Sequence, residues 1–342
     1  MKKTWVRLVI IFFLTFIFLY FFFRSVEWKE VLNYLTDINL KFFILIIILV
    51  PLHLVTRAIR WNYLLKYEKR GVSFYSRFAG NAVGFTVTLI FPGRLGELVK
   101  PLYLAQKENM RKGFVVGTIV VERTFDIFTM CALLGIFLIS KPLYSSIFQV
   151  NEEAYSSLKL WGIVGVAFAS FMLIIALSLI FFREKTLSII AFFLKPLPQK
   201  LSQRILEFIR EFIQGLKFFH SVGNFLLYTL LSFVVWLGII AYYWVFFYVY
   251  DSPIFFFFLF PYVFLVMVGA SIPTPGMVGG FHYFSKLGLT SLYGMDVNLA
   301  VVMTIVVHAV QVVVTCLVGY VILWKEGISL FQIKRLGGDK EQ

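Results

Sequence analysis

The sequence predicts an all-α integral membrane protein of about six spanning helices plus two opposed, broken re-entrant hairpins. Three observations lead there. The 342-residue chain is 60% hydrophobic and only 15% charged, where a soluble domain is about a quarter charged. Its apolar residues fall in runs long enough to cross a bilayer, about 20 residues per helix. Two of those runs are interrupted by Pro and Gly, at 91–97 and 272–280. At membrane depth a break is tolerated only where protein or a water-filled cavity satisfies the backbone.

The first span is expected over residues 5–23, behind Lys2, Lys3 and Arg7. Arg24-Ser25-Val26-Glu27-Trp28 offers no small-residue cleavage site, so this reads as an uncleaved span rather than a signal peptide. A second span covers 40–55. The apolar stretch 72–91 follows, interrupted by Gly80, Gly84 and Pro92-Gly93. Further spans are expected over 114–139, 160–182 and 225–250. The run 254–270 ends in Pro273, Pro275 and Gly276, and a last span covers 297–323. Cys131 and Cys316 lie inside apolar runs, so neither a disulfide scaffold nor a cysteine metal site is expected.

Charge orients these segments. Residues 57–77 hold Arg57, Arg60, Lys66, Lys69, Arg70 and Arg77 against Glu68 alone. Residues 94–112 hold Arg94, Lys100, Lys107, Arg111 and Lys112, residues 183–217 are also basic, and the tail carries Lys325, Lys334, Arg335 and Lys340. Loops of this kind stay in the cytoplasm. The net charge of +14 is thereby assigned to loops facing anionic lipid, and no nucleic-acid partner is expected. Segment 72–112 would then enter and leave from inside, and 251–296 from outside. The result is an inverted repeat in the cell membrane with both termini cytoplasmic. Its parts are a first half at 1–182, a linker at 183–224, a second half at 225–324 and a tail at 325–342. Within the linker, apolar residues spaced three and four apart over 186–219 predict an interfacial amphipathic helix, broken at Pro196-Leu197-Pro198.

Ionisable groups inside spans are costly, and this makes them functional candidates. Arg57 and Arg60 sit one turn apart beside Trp61, with planar forks suited to phosphate. Membrane anchoring explains them equally well. Phe91-Pro92-Gly93-Arg94-Leu95-Gly96-Glu97, followed by Lys100-Pro101, offers free backbone N–H groups and a charge for an anion. Glu122 and Asp126 lie deep in one span on a shared helix face, Arg123 can reach Asp126 at i+3, and the cluster is expected to pair with Arg94 or Arg60. Pro275, Gly276 and Gly280 leave backbone groups unpaired beside His282, while His308 shares a face with Gln311. Either histidine could be an ordinary core residue. No Walker loop, GxSxG or HExxH occurs, and no cofactor or metal is expected.

At these residues the chain resembles a known family. Arg57-x-x-Arg60-Trp61-x-x-Leu64-Leu65 comes first, then Asn81, then Pro92-Gly-Arg94-x-Gly96-Glu97-x-x-Lys100-Pro101. Glu122-Arg123-x-x-Asp126 and Pro273-x-Pro275-Gly276 with Gly279 follow in order. The ordered set resembles the flippase-like transmembrane module of lysylphosphatidylglycerol synthases. The resemblance implies a protein that moves an anionic or modified lipid between leaflets, and it brings Asn81 into the candidate site. The chain ends soon after Trp324, so the soluble synthase activity is not expected. Two positions depart from the family: Met277 stands where many members carry a second Gly, and His282 stands near where many carry a Glu.

The leading expectation is therefore a lipid translocator whose partner is a membrane phospholipid or lipid phosphate, in a chain that could form a homo-oligomer. A small-anion or solute transporter is one alternative. An intramembrane enzyme on lipid-phosphate groups, using Glu122, Asp126, His282 and His308, is another.

Overall fold

A computed structural model describes residues 2–24, 26–145, 152–196, 198–216 and 222–329. Leu197, Lys217 and Phe219 of the expected linker, and the tail from residue 330, lie outside the described residues. The described chain is helical with short turns. Helix α1 (Lys2–Phe23) meets α2 (Trp28–Thr36) at a bend of 83°. The carbonyls at the end of α1 have no partner within their own helix. Lys286 supplies one, donating to the carbonyl of Phe22 at 2.7 Å and of Arg24 at 3.1 Å.

Helix α3 (Leu40–Leu65) is followed by a hairpin of α4 (Phe74–Ile90) and α5 (Gly96–Glu108). Ser73 starts α4 by accepting from the Ser76 N–H. The arms have 17 and 13 residues, so they reach only about 25 and 20 Å at 1.5 Å per residue. Neither can cross a core of about 30 Å. Helix α6 (Lys112–Ile139) is followed by the short α7 (Lys141–Tyr144), α8 (Glu152–Phe181), α9 (Arg183–Leu194), α10 (Gln199–Gly215) and α11 (Val222–Phe247). A second short-armed hairpin is formed by α12 (Leu259–Ser271) and α13 (Gly280–Tyr293), before α14 (Val297–Lys325).

The two hairpins share one construction. Each turns through Pro-Gly and then a non-glycine residue in the left-handed region. Gly93 and Arg94 have φ of 77° and 55°, and Gly276 and Met277 have 59° and 60°. In each, the returning arm begins on a glycine pressed against the other arm. A Cβ on Gly96 would stand 1.8 Å from the Gly84 carbonyl oxygen, and one on Gly280 would stand 2.5 Å from that of Gly269. The tips meet. A Cβ on Gly276 would lie 3.0 Å from the Leu89 carbonyl, and Arg94 Nη1 reaches the Ser271 carbonyl at 3.4 Å. These are the paired broken segments that the sequence predicts, seated against each other.

Among the described residues, four helical segments are long and apolar enough to cross a membrane: Leu40–Leu65, Tyr155–Ile175, Val222–Tyr250 and Val297–Lys325. The bent α1–α2 pair makes up to five. Helix α6 is also long, with 28 residues, but it carries Glu122, Arg123 and Asp126 midway, and lipid accepts these only if they are paired.

Among the described residues the linker forms two helices on either side of the expected proline break, and the second packs against α6. A Cβ on Gly113 or Gly117 of α6 would lie 2.5 Å from the carbonyls of Phe208 and Phe212. One on Gly215 would lie 2.5 Å from that of Phe114. Small residues four apart let two backbones touch, the usual membrane substitute for hydrophobic association. Helix α9 keeps Ile189, Phe192 and Phe193 exposed.

Candidate functional site

Where α3, α5, α6 and α11 converge, the charged clusters of the sequence form one network. From α3, Arg60 Nη1 donates to Asp126 Oδ1 at 2.7 Å and to the Ser232 hydroxyl at 3.1 Å. Arg57 Nη1 reaches Asp126 Oδ2 at 3.1 Å and Glu122 Oε1 at 3.4 Å. From α5, Lys100 Nζ donates to both Glu122 oxygens at 2.8 Å and stands 4.5 Å over the Trp61 ring. Arg123 touches three acids: Glu122 at 2.8 Å, Asp126 at 3.4 Å and Glu97 at 3.5 Å. Glu97 in turn lies 3.4 Å from Arg94.

Helix position explains this convergence. Arg57 and Arg60 share a face of α3 at i,i+3, and Glu122 and Asp126 share a face of α6 at i,i+4. The tight Gly84–Gly96 crossing draws α5 close enough for Lys100 to reach between them: a Cβ on Gly84 would lie 2.6 Å from that of Lys100.

The network is graded in burial. Arg57, Arg60, Lys100, Glu122 and Asp126 are buried. The side chains of Arg123, Arg94 and Glu97 keep 31%, 28% and 28% of their surface exposed, so the network opens on that side. It is also unbalanced. Among the described residues, Arg57, Arg60, Arg94, Lys100 and Arg123 face only Glu97, Glu122 and Asp126, an excess of two positive charges. Donors are left over as well. Among the described residues, Arg57 Nε, Arg60 Nε and Nη2, Arg94 Nε and Arg123 Nε make no hydrogen bond, although Arg60 Nη2 lies 3.6 Å from Glu122 and Arg123 Nε 3.5 Å from Glu97. Buried positive charge without a counter-charge costs several kcal/mol per ion. An anion with several acceptor oxygens would relieve both the charge and the donors.

The sequence resemblance has a counterpart in a direct comparison. A family model described as the lysylphosphatidylglycerol synthase TM region matches residues 4–319. The chain belongs to that family. Neither a curated protein nor a solved structure matches it. As a lysylphosphatidylglycerol synthase TM-region protein it is a multi-pass membrane protein of lipid metabolism or transport.

Within this family member, several expected site residues stand elsewhere. Arg94 does not pair with Glu122 or Asp126, as expected for it or Arg60. The hairpin turn aims it at Glu97 and Ser271, and Arg60 takes Asp126. Asn81 is buried on α4 and donates to the Arg77 carbonyl at 2.9 Å, and among the described residues it makes no hydrogen bond to the charged network. Pro275 and Gly276 form the second hairpin's tip. Gly280 is used for helix packing. His282 and His308 are buried together, ring to ring at 4.7 Å, with Phe281 stacked on His308 at 4.6 Å and Phe22 edge-on to His282 at 5.1 Å. No ion pair or hydrogen bond among the described residues joins these histidines to the acids. Among the described residues His308 Nε2 makes no hydrogen bond.

Three contributors from α11 were not singled out in the sequence. Trp236 Nε1 donates to Asp126 Oδ1 at 3.0 Å, Ser232 accepts from Arg60, and Tyr228 lies 5.4 Å under the Arg60 guanidinium. Their spacing of four was the available signal.

Proposed function

We propose that the protein translocates an anionic phospholipid or lipid phosphate between leaflets, with the headgroup held in the charged network and the chains left in lipid. The observation that carries this reading is the excess of two positive charges, with unbonded guanidinium N–H groups, in a network that opens at Arg94 and Arg123. Guanidinium forks suit phosphate oxygens. Family membership favours a lipid over a free anion as the cargo. Two short hairpins with touching tips provide an element whose parting could expose the network alternately to either side. The function proposed is carriage rather than catalysis, because every acid of the network is engaged by cations and none stands ready as a base. The basic segments 57–77 and 94–112 are proposed to face the cytoplasm, with both termini, in the cell membrane.

The test is headgroup translocation by protein reconstituted in vesicles. Arg94→Ala and Glu97→Gln are expected to abolish it while detergent-solubilised protein keeps its wild-type elution and melting. Undiminished translocation in both variants would sink the assignment. Competition by a water-soluble headgroup as strong as that by intact lipid would favour a small-anion carrier. A changed product mass would favour an enzyme.

A further inference from the structure

A second polar feature lies outside the charged network. Beyond the end of α3, a cavity of about 540 Å³ is lined by Asn62, Lys66, Tyr67, Arg70, Gly71 and Asn224. Among the described residues, no acid lines it. Lys66 Nζ donates to Asn224 Oδ1 at 3.2 Å, and the Asn224 amide donates to the Tyr67 hydroxyl, so the wall between α3 and α11 is held by side-chain bonds. The Lys66 ammonium sits 4.9 Å over the Tyr63 ring. The nearest acids by sequence are already engaged: Glu68 by Arg111, and Glu108 by Lys69 at 2.7 Å. Those two bonds also place the cavity beside the open base of the first hairpin.

The cavity is joined to the network by one face of α11. Asn224, Tyr228, Ser232 and Trp236 recur every fourth residue, so they line one stripe. Asn224 lies at the cavity. Tyr228, Ser232 and Trp236 all meet Arg60 or its partner Asp126. From Asn224 to Ser232 is about 12 Å along the helix at 1.5 Å per residue. A purely apolar α3–α11 seam would have packed this helix pair as well. The polar stripe instead connects two cationic sites.

We propose that this cavity is a docking site for the phosphate of an anionic lipid headgroup, and that the Asn224–Tyr228–Ser232–Trp236 stripe of α11 is the path along which the headgroup passes to Arg60. Lys66 and Arg70 supply the charge, and Asn62, Asn224 and the Gly71 N–H supply neutral donors. The path rests on the translocator reading. The docking site does not, and the experiment separates the two.

The experiment is native mass spectrometry of the whole protein with phosphatidylglycerol added in increasing amounts. Wild type is expected to take up two lipids. Lys66→Ala with Arg70→Ala is expected to lose one of them, with binding of that lipid at least tenfold weaker, since both cations that face the anionic headgroup are gone. The control is Lys185→Ala with Arg204→Ala, which removes two exposed cations elsewhere and should keep both lipids. Equal lipid uptake by wild type and the Lys66/Arg70 variant overturns the docking site, as does loss of a lipid from the control. Inorganic phosphate that binds at the cavity when phosphatidylglycerol does not overturns the lipid assignment. Ser232→Leu tests the path. It should retain the lipid that Lys66→Ala with Arg70→Ala removes and slow vesicle translocation about tenfold, and an unchanged rate removes the path while leaving the docking site standing. Failure of the translocator reading would be seen at Arg94 and Glu97, with two-lipid binding intact.

Discussion

The Lys100 ammonium lies 2.8 Å from both carboxylate oxygens of Glu122, yet Glu122 does not depend on it alone. Arg123, Arg57 and Arg60 stand within 2.8, 3.4 and 3.6 Å of the same carboxylate. Removing the two partners should therefore have unequal effects. Lys100→Met takes one charge from a cluster that already has two too many, and fills similar space. It should cost less than about 1.5 kcal/mol. Glu122→Gln leaves five cations against Asp126 and Glu97 alone, and should cost about 3–5 kcal/mol. Thermal unfolding in detergent checks this. A Lys100→Met protein that melts as early as Glu122→Gln would contradict the charge excess.

The glycine crossings give a prediction that depends on shape alone. Gly96→Ala places a methyl 1.8 Å from the Gly84 carbonyl oxygen, against backbone that cannot swing aside. Hairpin α4–α5 would have to separate, taking Lys100 away from Glu122. Gly135→Ala, in α6, meets nothing within 4 Å and should gain up to about 1 kcal/mol from helix propensity. Expression and melting temperature should fall sharply for Gly96→Ala and hold or rise for Gly135→Ala. Similar behaviour of the two would mean that the close crossing is not needed.

Much of this architecture was legible in the sequence because lipid imposes strong rules. Apolar length marks α3, α8, α11 and α14, and charge inside such runs marks Arg57, Arg60, Glu122 and Asp126. Which charge meets which was not legible. Arg57 and Asp126 are 69 residues apart, and local spacing says nothing across that separation. Arg94 went to Glu97 and Ser271 because the left-handed turn at its own φ of 55° sets its direction. Ser232 and Trp236 were missed because a serine or tryptophan in an apolar run is ordinarily packing or interfacial anchoring. The docking of α10 was written in Gly113 and Gly117, four apart, but a small-residue pair does not name its partner helix.

Arg123 offers the sharpest functional test, because it is partly exposed and contacts all three acids of the network. Arg123→Ala should leave the fold in place while slowing lipid translocation about 10–100-fold, the scale of one lost charge-assisted contact of about 1.5–3 kcal/mol. Arg123→Lys keeps the charge but not the planar fork, so it should fall between alanine and wild type. Vesicle translocation measured beside melting temperature decides the matter. Lysine equal to arginine would show that charge alone suffices, and alanine equal to wild type would remove Arg123 from the site.

Glu326, just beyond α14, binds the Tyr103 hydroxyl and Lys107 of α5, and so fastens the first hairpin to the last helix. Partial burial pushes its carboxyl up, but the hydrogen bonds from Lys107 and Tyr103, with the Lys107 charge, outweigh burial and hold it below the ordinary glutamate range. A carboxyl lowered in the folded state contributes stability that is fully present above its unfolded value, about 4.3 for Glu. That contribution is lost as pH falls through the lowered folded value. Wild type should therefore out-melt Glu326→Gln at pH 7, and the gap should close steadily below about pH 4.3. Glu108, also lowered, against the upward push of partial burial, by hydrogen bonds from Lys69 and Ser76, the Lys69 charge and a bond from the Ser73 N–H, is common to both proteins. Its acid sensitivity cancels in the comparison. A gap that is constant from pH 7 to pH 3 would mean that Glu326 holds the hairpin by packing and not by its charge.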